Sequence, residues 1–344
     1  MALELTYETI AEWTEPFRDW YYYPEHVVDP DPGIDGYPEV RKTDVPTVYR
    51  LPGDDTWYMS FVGFDGDGYR SFVAESEDLV HWSDPQLAMG FGPEGSFDHG
   101  GVVLGAYLYE SYDLNAPRTL KRHDDSYWSL YGAYPRQGGY ELRPGGQGLA
   151  RSDDGRTWDR AADEAVLSVY QSDCEDWEGS CIYQPWLVEH DGRFYDFYNA
   201  AEGSVEQIGL ATSSDLYSWE RYEENPIVST GPTASYNEQF SADPKVYRDG
   251  DHWVMLFYGV GRGGAHIMAA FSRNLRNWVV NPEPLYEAGG HPDGLDSEHA
   301  HKVSLVFDPD QEIHYMFYNA VGEEGRGIGL LTSEPLDGVA YDGR

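Results

Sequence analysis

Self-similarity at a fixed spacing constrains this chain most, because a unit that recurs cannot bury its apolar face alone and must stack on its own copies. A seven-residue pattern ending in tryptophan occurs four times. The copies are Ser76-Glu77-Asp78-Leu79-Val80-His81-Trp82, Ser152-Asp153-Asp154-Gly155-Arg156-Thr157-Trp158, Ser213-Ser214-Asp215-Leu216-Tyr217-Ser218-Trp219 and Ser272-Arg273-Asn274-Leu275-Arg276-Asn277-Trp278. A truncated fifth, Ser333-Glu334-Pro335-Leu336, follows. The serines are 76, 61, 59 and 61 residues apart, and the long first interval holds a polar stretch around Asn115 to Ser126 that reads as a loop insertion.

Ahead of the copies lie apolar segments with strand periodicity, such as Arg193 to Tyr198, His252 to Tyr258 and Ile313 to Tyr318. Each unit is therefore expected to be three or four antiparallel strands. Five units of constant strand order predict an all-β chain, a five-bladed β-propeller, better than a sandwich. Within the repeated turn, Ser and Asp cap the backbone, while Leu and Trp pack between neighbouring blades. No long amphipathic helix is expected beyond the first twenty residues. Residues 1–40 read as an N-terminal extension packing on the propeller, and 41–344 as a single propeller domain. The aromatic stretch Trp20 to His26 is expected either to cover the mouth or to close the ring as an added strand.

Composition narrows the function. The chain has 344 residues, 61 Asp+Glu and 23 Lys+Arg, a formal charge of −38. An aromatic share of 15% excludes a disordered acidic tail. Without a basic patch, nucleic acid is not an expected partner, and no apolar run is long enough for a transmembrane helix. The N-terminus lacks the order of a signal peptide. This leads to a cytoplasmic expectation, with secretion the alternative where a signal has been removed. The acidic residues are spread along the chain, which suggests an acidified surface suited to molar salt and a halophilic host. Cys174 and Cys181 fit either a local disulfide or two thiols.

In a propeller the first strand of every blade lines the axis, so residues leading into those strands converge on one mouth. The five lead-in segments bring Asp44, Asp98, Glu178, Asp243 and Glu298. Beside these carboxylates stand His99, Tyr183, Gln184, Lys245, His301 and Lys302 as candidate substrate-binding residues. Only four lysines are present, and three of them (Lys42, Lys245, Lys302) fall in these segments. Paired carboxylates are what cleavage of a glycosidic bond requires. No contiguous calcium loop or metal motif is present, so no cofactor is expected; the oxygen-rich lead-ins leave calcium on the axis as the alternative.

Ser241-Ala242-Asp243-Pro244-Lys245-Val246, the runs Phe197-Tyr198-Asn199-Ala200 and Phe317-Tyr318-Asn319-Ala320, and the repeated turn together resemble the five-bladed β-propeller glycoside hydrolases of families 32, 43, 62, 68, 117 and 130. The likeness covers about residues 40 to 336. It implies a glycosidase acting on a terminal sugar of an oligo- or polysaccharide, of arabinofuranoside or fructoside type. It also implies Asp44 as base or nucleophile, Asp243 as the orienting carboxylate, and Glu298 or Glu178 as general acid. The alternatives are a glycoside phosphorylase of the same fold, with Arg262 and Arg326 near phosphate, and a non-catalytic carbohydrate-binding propeller.

Overall fold

In the computed structural model, which describes residues 6–336, 338 and 339, the recurring unit is a four-stranded antiparallel meander. Its inner strands are Lys42–Arg50, Gly101–Tyr107, Cys181–His190, Phe240–Asp249 and His299–Asp308. Each is followed by two further long strands and, in blades one to four, by a short outer one. Single parallel bridges, Tyr69↔Gly101, Glu206↔Phe240 and Ala265↔His299, join the third strand of a blade to the inner strand of the next. The ring closes where blade five meets blade one, with the Val48 N–H donating to Ser304 Oγ at 3.0 Å. The result is a five-bladed propeller.

The last blade borrows its outer strand. Its own segment supplies three strands, and the fourth is Tyr21–Tyr22, pairing Tyr21 with Thr332 and Tyr22 with Leu331. The N-terminal aromatic stretch thus closes the ring. Upstream, a helix over Tyr7–Thr14 is capped by Thr6, and Trp13 stacks on His252 of blade four with ring centroids 3.7 Å apart.

The repeated turn is a capping device. Ser76 Oγ accepts from the Leu79 N–H at 2.9 Å, and Asp78 Oδ1 accepts from the N–H groups of Val80 and His81 at 2.9 and 2.8 Å. Copies in the other blades repeat these bonds, as in Ser213 with Asp215. The pattern places leucine in the left-handed region, with φ of 66° at Leu79, 68° at Leu216 and 65° at Leu275. That conformation costs a non-glycine residue about 1–2 kcal/mol. Burying the whole leucine side chain returns about 1.5–3 kcal/mol, and each of the three is at most 1% exposed. Blade two has Gly155 at the same point, with φ of 74°. The tryptophans pack across blade boundaries: Trp82 meets Phe317 edge-on, and Trp278 meets Phe197.

A second device shapes the mouth. Inner strands carry a register shift near their start, between Asp44 and Thr47, Ala242 and Lys245, and His301 and Ser304. Val45, Asp243 and Lys302 sit in these bulges at φ of 51°, 52° and 53°. Such backbone persists only where neighbours hold it, and a bulge re-aims side chains. The repeated Phe-Tyr-Asn-Ala supplies the hold. Asn319 accepts from the Val45 N–H at 2.8 Å, and Asn199 from the Asp243 N–H at 3.3 Å, each clamping the following blade.

At the far end of the inner strands, the insertion in blade two crosses the ring. Arg50 donates its N–H to the Arg118 carbonyl at 2.8 Å, Leu114 to the Arg248 carbonyl at 2.8 Å, and Glu189 to the Tyr112 hydroxyl at 3.2 Å. The loop therefore ties blades one, three and four. Cys174 and Cys181 are unbonded thiols, and burial pushes the Cys181 thiol up to about 12.

Candidate active site

The connection between the second and third strands of blade two is eleven residues long, from Pro135 to Gly145, where blades three, four and five use two. That length carries it over the mouth. There the Tyr140 hydroxyl donates to Asp44 Oδ2 at 3.0 Å. The same oxygen accepts from Lys302 Nζ at 3.0 Å and Arg326 Nη1 at 2.8 Å, while Oδ1 accepts from the Val45 N–H at 2.9 Å. Asp44 is completely buried. Burial alone would raise its pKa, but Lys302 and Arg326 outweigh it and hold the carboxyl well below its usual range. Asp44 is thus a fixed anion with its hydrogen-bonding capacity largely used.

Two glutamates face the same space. Glu141 follows Tyr140 on the crossing loop, with φ of 48°, and its Oε1 lies 3.8 Å from Lys302 Nζ. Glu206 opens the third strand of blade three, and Asn199 Nδ2 donates to its Oε2 at 3.1 Å. Both line a small cavity of about 20 Å³ with Tyr183, Gln184, Asp243 and Lys302. Burial raises the Glu141 pKa, against the pull of Lys302. Burial, reinforced by the negative charge of Glu141, pushes Glu206 up to about 7. One carboxyl thus stays protonated near neutrality while the other sits beside an ammonium. Two carboxyls on one cavity, one of them beside an ammonium, are the groups that acid catalysis with a base or nucleophile requires.

Of the residues expected from sequence, the structure brings together Asp44, Asp243, Tyr183, Gln184, Lys245, His301 and Lys302. Lys245 Nζ donates to Asp243 Oδ1 at 2.7 Å, while Asp243 Oδ2 is buried with no partner. Arg143 Nε donates to the Tyr183 hydroxyl at 3.0 Å. His301 Nε2 lies 3.3 Å from Arg326 Nη1; burial and the nearby Arg326 and Lys302 keep the ring neutral.

The other expected residues lie elsewhere, and the idea that five carboxylates share one structural position is corrected. Asp44 precedes a bulge and Asp243 occupies one. Asp98 sits in the turn and Glu178 at the end of the short 3-10 helix before their inner strands, both fully buried within the blade. Arg160 Nε and the Tyr131 hydroxyl donate to Asp98 Oδ2 at 2.5 and 2.9 Å. Glu178 likewise pairs with Arg221 and accepts from the Tyr198 hydroxyl at 2.8 Å. Asp296 repeats the arrangement with Tyr318 at 3.1 Å, so these carboxylates brace strands. His99 is held by the Gly92 carbonyl at 3.1 Å, away from the cavity, and Glu298 is exposed. Arg262 lies over the ring of Tyr236. Among the described residues no group of three His, Cys, Asp or Glu side chains is arranged to hold a metal.

Glu141, Glu206, Tyr140 and the bond from Arg326 to Asp44 were not anticipated. A signal for two of them exists. Glu206 and Arg326 each stand seven residues before the repeated serine, at Ser213 and Ser333. The bridges through Tyr69, Glu206 and Ala265 show that this is the point where a third strand reaches the mouth.

Residues 114–295, more than half of the chain, match the model of the glycosyl hydrolases family 32 N-terminal domain. The protein belongs to this family. It is a glycosidase. Among solved structures, this family 32 protein is 23% identical to a glycoside hydrolase, with a TM-score of 0.83 and 99% of each chain covered. BT0996 in its RGII complex gives 23% identity and a TM-score of 0.81, over 98% of this chain and 99% of that one. The GH32 β-fructofuranosidase BmSUC1 of Bombyx mori, solved with sucrose, is 14% identical with a TM-score of 0.55, over 94% of this chain and 64% of that one. No curated protein sequence matches the chain.

Proposed function

We propose that this glycosidase hydrolyses a terminal sugar from an oligo- or polysaccharide, with Glu206 as general acid and Glu141 as the second carboxylate. The observation that carries the reading is the pair itself: two glutamates on one small cavity, with Glu206 raised to about 7. In its protonated form Glu206 donates to the glycosidic oxygen as the bond breaks. Glu141, whose burial-raised pKa the ammonium 3.8 Å away pulls back in part, in its anionic form either attacks the anomeric carbon or takes a proton from water. The buried, unpartnered Asp243 Oδ2 is an acceptor for a sugar hydroxyl. Asp44 acts through others: it holds Lys302, Arg326 and Tyr140 in place.

Family 32 membership and the likeness to a β-fructofuranosidase support a furanoside. Hydrolysis is favoured over phosphorolysis because Lys302 and Arg326 already face the carboxyl groups of Asp44 and Glu141, and Lys245 that of Asp243. The test is sugar release from a panel of oligosaccharides, with and without phosphate. Release that is independent of phosphate and lost in Glu206→Gln is expected. Strict dependence on phosphate would reassign the protein as a phosphorylase, and no release from any glycan would remove the hydrolase reading.

A further inference from the structure

The loop across the far end of the ring buries a charge that the catalytic pocket does not use. The Arg118 backbone lies beside Arg50 of blade one, and its guanidinium lies over the ring of Tyr247 in blade four, 4.6 Å from the centroid. Blades one and four are not neighbours, so the side chain spans the axis. Arg118 is 2% exposed. Nη1 donates to the carbonyls of Ser111 and Asp113 at 3.1 and 2.9 Å, while Nε and Nη2 are buried and meet no acceptor. The Asp113 carboxylate is turned instead to the Asn115 N–H, 2.9 Å away.

Among the described residues the groups around it are phenol hydroxyls, which donate as well as accept, and no counter-charge pairs with it. The Tyr109 hydroxyl is also buried without a partner. Tyr112 accepts N–H groups of Tyr109 and Glu189 at 3.4 and 3.2 Å, and Tyr247 accepts that of Leu305 at 3.0 Å, so each keeps its own proton to donate. Burial pushes the guanidinium pKa down, and Tyr247, Tyr109, Tyr112 and Asp113 oppose this only in part. A guanidinium withdrawn from water is strongly unfavourable without a counter-charge, and a ring face replaces little of it. Among the described residues no carboxylate forms an ion pair with this group, and that of Asp113 acts on it only through its charge.

We propose that the foot of the propeller axis, between Arg118, Tyr109, Tyr112 and Tyr247, is a binding site for a small monovalent anion of the chloride class. The anion takes the Nε–H and Nη2–H of Arg118 and fastens the crossing loop to the blades. Water would satisfy the same donors but supply no charge, which separates the two occupants. Potassium chloride is titrated into potassium glutamate at constant ionic strength while thermal unfolding of the full chain is followed. The wild-type Tm is expected to rise saturably by a few degrees, as for any ligand of the folded state. In Arg118→Met the saturable part should vanish. Overlapping curves for the two proteins, or a wild type indifferent to chloride, would overturn the site. Should the variant fail to fold, wild-type crystals soaked in bromide decide. An anomalous peak within hydrogen-bond distance of Arg118 Nε or Nη2 supports it, and water alone there refutes it.

Discussion

Replacing Glu206 with glutamine should make the protein more stable and less active, and the first effect can be worked from its surroundings. Glu206 is 7% exposed, so solvent screens little of its environment. Its pKa rises from the ordinary 4.5 to about 7 on folding. Below pH 4.5 both folded and unfolded chains hold the proton, and the group contributes no difference. Between 4.5 and 7 the unfolded chain releases it while the folded one keeps it, so stability falls as pH rises. Above pH 7 the loss is complete, and a carboxyl moved from 4.5 to about 7 then costs about 3 kcal/mol. Glu206→Gln removes the titration and keeps an oxygen for the Asn199 amide. Urea unfolding at pH 4.5, 6 and 8 is the assay. The variant should match the wild type at pH 4.5 and exceed it by about 3 kcal/mol at pH 8, with the gap opening between. Parallel pH curves for the two proteins would refute the buried, proton-retaining carboxyl on which the mechanism rests.

Lys302→Met removes the ammonium that lowers the pKa values of Glu141 and Glu206. Both limbs of the kcat/KM profile should move to higher pH, and stability should fall by about 3–5 kcal/mol as Asp44 loses a buried partner; an unmoved profile would make Lys302 structural only. Glu178→Gln breaks the buried pair with Arg221. Urea unfolding should show a similar loss, while kcat and KM of the folded fraction stay unchanged; a fall in kcat would return Glu178 to the catalytic site. The acidic surface is proposed to be an adaptation to salt. The urea midpoint should climb from 0.1 to 1 M KCl, as the Debye length shrinks from about 10 to 3 Å, and a flat response would contradict this.

The architecture was legible because its signals are periodic and local. The repeated serine, aspartate, leucine and tryptophan each answer a requirement of one turn, so their recurrence counted the blades. The scarce lysines are placed together by the structure, with Lys245 and Lys302 inside the cluster. The carboxylates were harder, because in a chain with 61 of them proximity in sequence to an inner strand is weak information. Asp98 and Glu178 occupy the right segments, yet tyrosine hydroxyls and arginines draw them into the blade wall. Glu141 stands on a connection whose course across the mouth depends on tertiary contacts, such as Tyr140 with Asp44. Glu206 was hidden for another reason: only superposing the repeats on their serine shows that it and Arg326 share one mouth-facing position.

The assignment of Glu206 as general acid is tested most directly by comparing leaving groups. An activated aryl glycoside departs without protonation, whereas a sugar alcohol does not. Glu206→Gln should therefore keep most of its kcat on the aryl substrate and lose about 10²–10⁴-fold on the matched oligosaccharide. Equal losses on both substrates, or no loss on either, would contradict the account and move the acid to another residue.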